Sequence, residues 1–342
     1  MTHSARLLAA LSRFPRVHLT HAPTPLEPLP NLGKDLGLSL FVKRDDCTGI
    51  GFGGNKVRQL EFYFGKAQKQ GADTVLITGA VQSNFVRTTA AIAARLNMQC
   101  HVQLEERVPD VGDLHRANGN VLLDHLLGAT LHSFPEGEDE AGADASLHII
   151  ADQLRGEGRR PFVIPLGANH PPTGSLGYVV AALELAGQLK EMEPIDEIFI
   201  ASGSALTHAG VLFGLRALGL NIPIRGICVR RNVEAQAPRI RQRTADLAAL
   251  LHDVPVTFTD DEFRLFDGSL APGYGLLNEA TRDAIRRTAQ REGLFLDPVY
   301  TGKVMAGFIQ LAETGELKGK RILFWHTGGT PALFGYADQL VS

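Results

Sequence analysis

Cysteine is scarce in this chain of 342 residues, with Cys47, Cys100 and Cys228 its only three. Odd in number and far apart, they offer neither a disulfide framework nor a metal-ligand spacing, as expected of a protein kept in a reducing cytoplasm. Cys100 and Cys228 lie in apolar, strand-like runs and read as core residues. Cys47 has no suitable basic neighbour, so it is a weak candidate nucleophile. An excess of one charge is also missing: the formal net charge is −3, and nothing favours nucleic acid or an anionic membrane. No apolar run reaches 18 residues, so a membrane span is not expected. The segment Met1 to Arg6 lacks the long apolar centre of a signal peptide, and Leu7 to Leu11 reads as the start of an amphipathic helix. The His-x-x-x-His and Cys-x-x-Cys spacings of metal sites are absent, as are paired acidic motifs of the glycosidase kind. No repeat or low-complexity tract stands out. An ordinary globular composition remains, long enough for two domains at about 150 residues each.

The chain is organised around Gly53-Gly54-Asn55-Lys56-Val57-Arg58. This stretch follows a β-prone run, Leu38 to Val42, and a polar turn, Lys43 to Asp46, and opens into a helical pattern at Leu60, Phe64 and Ala67. Two glycines let the backbone approach a ligand, and the helix start presents unpaired N–H groups. A lysine held there in an apolar setting loses stability as an ammonium and becomes a nucleophilic amine. Alone, the stretch reads more simply as a solvated lysine at a helix start; what changes this is the company it keeps further along the chain.

From Asp73 onward the pattern becomes strand–turn–helix. Strands are expected at Thr74 to Thr78, Gln99 to Leu104 and Phe162 to Ile164, with helices at Arg87 to Leu96 and Gly119 to Leu127. Pro135 to Asp144 reads as an exposed acidic loop. A second series has strands at Glu197 to Ala201, Ile224 to Val229, Val256 to Phe258 and Arg321 to Trp325, with helices at His208 to Leu218 and Glu279 to Glu292. Continuous apolar strands alternating with helices indicate two α/β sheets, mostly parallel and covered on both faces, with ligands at the carboxyl ends of the strands.

Three further loops carry unusual residues. Gly79 to Asn84 places Ser83 and Asn84 at a helix start, as caps or as a cradle for a carboxylate. Ser202-Gly203-Ser204-Ala205-Leu206-Thr207 has the small residues and hydroxyls of a phosphate cup. It has neither the Walker ending nor the Gly-x-Gly-x-x-Gly fingerprint, so it fits a small phosphorylated cofactor. His326-Thr327-Gly328-Gly329 offers a threonine that meets a ring nitrogen or caps the last helix. A lysine, a phosphate cup and a carboxylate cradle are the minimum parts for pyridoxal phosphate chemistry.

The motifs Arg13 to Arg16, Pro23 to Glu27, Lys43 to Asp46, Gly53 to Lys56, Gln82 to Asn84, Asn118 to Asn120, Ala201 to Ser204, Ala271 to Gly275, Asp297 to Lys303 and His326 to Gly329 occur in order almost end to end. In them the chain resembles the pyridoxal-phosphate enzymes of the D-cysteine desulfhydrase and 1-aminocyclopropane-1-carboxylate deaminase family, of the tryptophan synthase β-like fold. The resemblance implies a larger cofactor-binding domain from residues 1–60 and 175–342, a smaller one from 61–174, and a homodimer. It makes Lys56 the Schiff-base lysine, Asn84 the partner of the ring hydroxyl and Thr327 a neighbour of the pyridine nitrogen. Gly203, Ser204, Ala205, Leu206 and Thr207 would wrap the phosphate. Gln82, Ser83 and Asn84 would hold the substrate, with Ser83 in proton transfer, and Tyr274 and Tyr300 would face it. The implied reaction is β-elimination, with D-cysteine giving pyruvate, ammonia and sulfide. The L-cysteate sulfo-lyase branch, cyclopropane-carboxylate deamination and a non-catalytic cofactor-binding homologue stay open.

The chain departs from the family pattern in four places. Phe85 stands for the usual histidine, Leu206 for a glycine of the cup, and Thr88 for the glutamine of Gln-Thr-Ala. Thr301 stands where the deaminases have a glutamate close to the pyridine nitrogen, which implies elimination in preference to ring opening.

Overall fold

The computed structural model of the chain describes residues 2–167 and 169–341. Among the described residues, ten strands divide between two sheets. The first six in sequence are β1 (Leu26–Pro28), β2 (Ser39–Arg44), β3 (Thr74–Ala80), β4 (Gln99–Glu105), β5 (Thr130–Phe134) and β6 (Pro161–Ile164). The last four are β7 (Glu197–Ser202), β8 (Ile224–Cys228), β9 (Arg264–Phe266) and β10 (Arg321–His326). One sheet has the order β1-β2-β10-β7-β8-β9 and draws on both ends of the chain; only the edge strand β1 runs antiparallel to its neighbour. The other has the order β5-β4-β3-β6 and is parallel throughout.

Continuous apolar strands follow from coverage on both faces. Along β10, Ile322 and Phe324 pack with Phe199, Val304 and Phe308 on one face, while Leu323 and Trp325 pack with Ile198, Tyr178 and Leu212 on the other. The helix Thr301–Glu313 covers the first face, and the helices Ser175–Gln188 and Leu206–Ala217 cover the second. Every residue of β3 is buried, and Val75 and Ile77 share a core with Leu60, Phe64, Val86 and Ile92. Each such side chain contributes roughly 1.5–3 kcal/mol of transfer free energy.

The expected helix Glu279–Glu292 is present. The N-terminal helix is His3–Leu11, capped by Thr2, so Leu7 to Leu11 ends it and does not begin it. Three other expectations need correction. Val256 to Phe258 is not a strand; the edge of the larger sheet is instead β9 at Arg264–Phe266, paired to β8. Pro135 to Asp144 is not wholly an exposed loop, because Asp139 caps the helix Glu140–Gly156 and Glu140 turns inward to three arginines.

Lys43 to Asp46 is not simply a polar turn either. Lys43 and Arg44 finish β2, and the side chains of Lys43 and Asp45 are fully buried. Asp45 accepts from Arg58, Thr24, the Tyr178 hydroxyl (2.7 Å) and Trp325 Nε1 (2.8 Å). Glu184 receives Lys43 and the other side of the Arg58 guanidinium. Burial alone would push Asp45 up, but Arg58 and Lys43 hold it below its ordinary value. Polar residues can occupy a core when every one is paired, and this network anchors the helix Asn55–Lys69 two residues beyond Lys56.

Candidate active site

Six strands aim their carboxyl ends at one region. β2 leads into the lysine loop, β10 into Thr327, β7 into Gly203, β8 into Arg230, β3 into Ser83 and β4 into Arg107. Two adjoining cavities occupy it, of about 420 and 610 Å³ including their open mouths. Lys56, Asn84, Gly203, Ser204 and Tyr300 line both.

Lys56 lies in the first turn of the helix Asn55–Lys69, whose cap Gly54 has φ +107°. A side chain at Gly54 would meet the Thr327 carbonyl at 3.2 Å, and one at Gly328 would sit 2.6 Å from Gly54 Cα. Glycine is needed for this approach. The Lys56 amine has one hydrogen-bond partner, Gln59 Oε1 at 3.4 Å, and no carboxylate in ion-pair range among the described residues. The surrounding protein lowers its pKa to about 8 by desolvation. The ring of Phe85 lies 5.0 Å from the nitrogen and partly offsets this by attracting the ammonium.

The cup forms where β7 passes into the helix Leu206–Ala217. Ala205 takes φ +71°, a left-handed conformation costing roughly 1–2 kcal/mol for a residue with a Cβ. Gln236 donates to Ser202 Oγ and to the Gly203 carbonyl, steadying the loop. Thr207 Oγ1 accepts from Asn55 Nδ2 (3.0 Å) and Gln59 Nε2 (2.8 Å), so its own hydroxyl proton is left to donate to an acceptor in the first cavity. A free hydroxyl donor, the unpaired N–H groups of a helix start and a lysine without a counter-ion suit an aldehyde that carries a phosphate. Leu206, expected in the cup, lies in the helix and does not line either cavity. The strained position is Ala205, whereas Leu206 has helical backbone.

Asn84 begins the helix Asn84–Arg95, and Ser83 caps it by accepting from the Val86 amide at 3.3 Å. That leaves the Asn84 and Phe85 amides without intrahelical acceptors, and the Ser83 hydroxyl free to donate. Asn84 Oδ1 accepts from Asn120 Nδ2 (3.0 Å) and Arg87 Nη2 (3.4 Å), which fixes the amide. Arg87 also donates to the Gly53 carbonyl and to Asn120 Oδ1, so one buried guanidinium joins this helix to the lysine loop. Sequence reasoning missed Arg87, although a charge near the start of an otherwise apolar, alanine-rich helix was a usable signal.

Gln82 is not brought to the cavities. Its side chain donates to the His115 (2.6 Å) and Asn118 (2.8 Å) carbonyls and accepts from the Asn120 amide. These bonds occupy its amide, and it braces the loop before the helix Asn120–Leu126 rather than reaching a ligand.

Tyr274 and Tyr300 touch through their hydroxyls at 2.8 Å and line the second cavity. Burial and then the neighbouring Tyr274 push the Tyr300 phenol well above its ordinary pKa, so it stays protonated. Thr327 lines the first cavity, and its hydroxyl has no hydrogen-bond partner among the described residues. The loop carrying it is held by His326, which donates from Nε2 to the Phe295 carbonyl and accepts the Gly328 amide at Nδ1. Thr301 does not reach the cavity: its hydroxyl donates to the buried Asp297 carboxylate at 2.7 Å. No carboxylate lines the first cavity. The second is also lined by Arg107, Arg230, Arg239 and Glu140, none of which the sequence pointed to. The Arg230-Arg231 doublet just past the end of β8 was the available signal.

A family model described as pyridoxal-phosphate dependent enzyme matches residues 17–328. The chain is 43% identical over 327 residues to a D-cysteine desulfhydrase of Salmonella newport (strain SL254), covering 95% of this chain and 97% of the relative. A crystal structure described as an ACC deaminase homologue superposes with a TM-score of 0.87 at 38% identity, covering 98% of both chains. The processed threonine deaminase isoform 2 of Solanum lycopersicum shares the fold, with a TM-score of 0.65 at 16% identity over 99% of this chain and 93% of that one.

Proposed function

The chain belongs to the pyridoxal-phosphate dependent enzyme family, and we propose that it catalyses β-elimination on a small amino acid, taking D-cysteine to pyruvate, ammonia and sulfide. D-cysteine is the substrate named for its 43%-identical relatives. The observation that carries the reading is the Lys56 amine, unpaired with any carboxylate and lowered to about 8, on the wall shared by the two cavities.

Pyridoxal phosphate, when bound, offers an aldehyde to amines and a ring that takes up the electrons of a broken Cα–H bond. Lys56 would hold it, with the amides of residues 203–207 and the Thr207 hydroxyl on the phosphate, Asn84 on the ring hydroxyl and Thr327 at the ring nitrogen. The Ser83 hydroxyl and the amides of Asn84 and Phe85 hold the substrate carboxylate. The Lys56 amine takes the Cα proton. The protonated Tyr300, hydrogen-bonded to Tyr274, donates toward the departing sulfur. Residues 61–174 form a smaller domain that closes over the substrate and excludes water, against a larger one from 1–60 and 175–342.

No described helix is long and apolar enough to cross a membrane. We place the protein in the cytoplasm, in keeping with three cysteines that are all free. We also read it as a homodimer, since Leu126, Phe295 and Phe334 leave large apolar side chains exposed. Sedimentation at micromolar concentration checks the assembly.

A pyruvate assay over D- and L-amino acids tests the reaction, and absence of pyruvate from D-cysteine, β-chloro-D-alanine and L-cysteate alike would overturn it. Ser83→Ala should retain cofactor and lose roughly 10²-fold or more in turnover, the usual contribution of a positioned acid–base group. Unchanged turnover would reduce Ser83 to its helix-capping role. Opening of 1-aminocyclopropane-1-carboxylate to 2-oxobutanoate should be slower than every elimination. The first cavity has a threonine hydroxyl and no carboxylate to keep a ring nitrogen protonated, and expelling carbon needs the stronger electron sink. Faster ring opening would show that the nitrogen's partner does not set the reaction type.

A further inference from the structure

Lys303 is a buried, ionisable side chain that lines neither cavity and has no part in the steps described above. It lies in the first turn of the helix Thr301–Glu313, whose cap is Tyr300. The residue is fully buried, and no carboxylate comes within ion-pair range of it among the described residues. Its ammonium donates instead to two backbone carbonyls, Leu270 at 2.6 Å and Gly273 at 2.7 Å. Desolvation lowers its pKa to about 8, with no charged neighbour to offset the burial. Neutral carbonyls return only part of the cost of burying a cation, so packing alone would be better served by an apolar side chain.

What the ammonium holds is the loop that carries Tyr274. Its two acceptors bracket Ala271 and Pro272, and Tyr274 follows directly on Gly273. The Ser269 hydroxyl donates back to the Lys303 carbonyl at 2.9 Å, so helix and loop are joined in both directions. Within the loop the Leu270 amide donates to the Asp267 carbonyl and the Leu276 amide to that of Gly273. Asn278 donates to the Ala271 carbonyl, which keeps the middle of the loop anchored without Lys303. Tyr274 and Tyr300 thus come from two segments that Lys303 ties together, three residues beyond one tyrosine and bonded to the residue before the other. The Tyr300 hydroxyl is the one hydrogen-bond partner of the Tyr274 hydroxyl among the described residues. A proton donor must stay within hydrogen-bond reach of the atom it serves, and a misplacement of about 1 Å can cost 10²-fold in rate.

Resting on the β-elimination reading, we propose that Lys303 is a positioning residue for that reaction. By holding the Leu270 and Gly273 carbonyls it sets Tyr274 against Tyr300, and so aims the Tyr300 hydroxyl at the departing sulfur. The Cα proton goes to the Lys56 amine. The Cβ–S bond breaks with its electron pair on sulfur, which takes the Tyr300 proton, and water reprotonates the phenolate. A β-chloride leaves with the same electron pair and needs no proton, so the Lys303 contribution belongs to the sulfur substrate.

The test compares D-cysteine with β-chloro-D-alanine on the holoenzyme. Lys303→Met keeps an apolar stem of similar length and removes the donor. The ratio of kcat/KM for D-cysteine to that for β-chloro-D-alanine should fall about tenfold, a readout that cancels any change in the fraction of folded enzyme. Tyr300→Phe should lower the ratio further, and adding Lys303→Met to it should change the ratio no more, because the two act through one hydroxyl. Lys303→Gln, with two N–H donors on a shorter stem, serves if the first variant does not fold and should lower the ratio by less. Lys69→Met, at an exposed helix end, should leave the ratio unchanged. Amide hydrogen exchange needs no turnover. Peptides over residues 268–276 should exchange at least tenfold faster in Lys303→Met, while those over the buried strand β10 keep their protection. An equal fall for both substrates would reduce Lys303 to a structural role, and an unchanged ratio or unchanged exchange would likewise overturn the proposal. No pyruvate from either substrate would defeat elimination, and the exchange comparison would still decide whether Lys303 holds the Tyr274 loop.

Discussion

Lys56→Ala should lower pyruvate release by at least about 10³-fold, the combined loss of the cofactor's attachment point and of the group that moves the Cα proton. Borohydride reduction of the wild-type holoenzyme followed by peptide mapping should place the pyridoxyl group on Lys56. A label on Lys43 or Lys303 would overturn the assignment, and the structure makes both demanding controls. Each is a buried lysine whose pKa burial lowers, but Lys43 is paired to Glu184 and Lys303 donates to the Leu270 and Gly273 carbonyls. Lys56 alone of the three opens onto the cavities. The rate at which cofactor-free protein takes up pyridoxal phosphate should rise with pH through about 8 and level off above it. The reason is that the depressed pKa makes the neutral, reactive amine dominant only above that value. A rate still climbing at pH 10 would mean that the lysine is not desolvated as the structure has it.

Arg58→Met should be among the most destabilising single substitutions. It removes the cation from between two acids, fully buried Asp45 and largely buried Glu184, and leaves Lys43 alone to compensate both. Breaking a buried ion pair from one side costs roughly 3–5 kcal/mol, because a desolvated charge is left without its partner. Arg58 pairing holds the carboxyls of Asp45 and Glu184 below their ordinary values despite burial. The wild-type contribution is therefore present above the unfolded carboxylate pKa near 4 and is lost as pH falls through the depressed native values. Urea unfolding at pH 7 and pH 3 measures both effects. The gap between wild type and Arg58→Met should be widest at pH 7 and narrow at pH 3. A gap that does not change with pH would assign the effect to packing instead.

The strand order could not be read from the chain, yet most strands and the site-bearing loops could. Thr74 to Ala80 is continuous and apolar because β3 is central and covered on both faces, and that burial is written in its composition. The edge strand β9, three residues long, carries no such signal, and the apolar Val256 to Phe258 drew the assignment wrongly. Lys43 to Asp46 looked like a turn because charge normally means solvent; of the partners that make its burial tolerable, only Arg58 and Thr24 are near in sequence, while Glu184, Tyr178 and Trp325 lie more than 130 residues away. Gln82 and Thr301 sit in motifs beside true lining residues, but their side chains point to neighbouring backbone and to Asp297.

The chemistry of the site was local and therefore legible in the sequence. Glycines that permit a close approach, a lysine in a first helical turn, a serine cap and a cup of small residues each act over a few bonds, so short motifs carry them. Which of those residues line the cavities was decided only by tertiary structure, as was the convergence of six strand ends. The same holds for the charge of the second cavity. Glu140 begins a helix of the smaller sheet's unit, while Arg230 and Arg239 follow a strand of the larger one. Coulombic interactions depend on distance in space, and about ninety residues of chain separate these charges until the two units fold against each other.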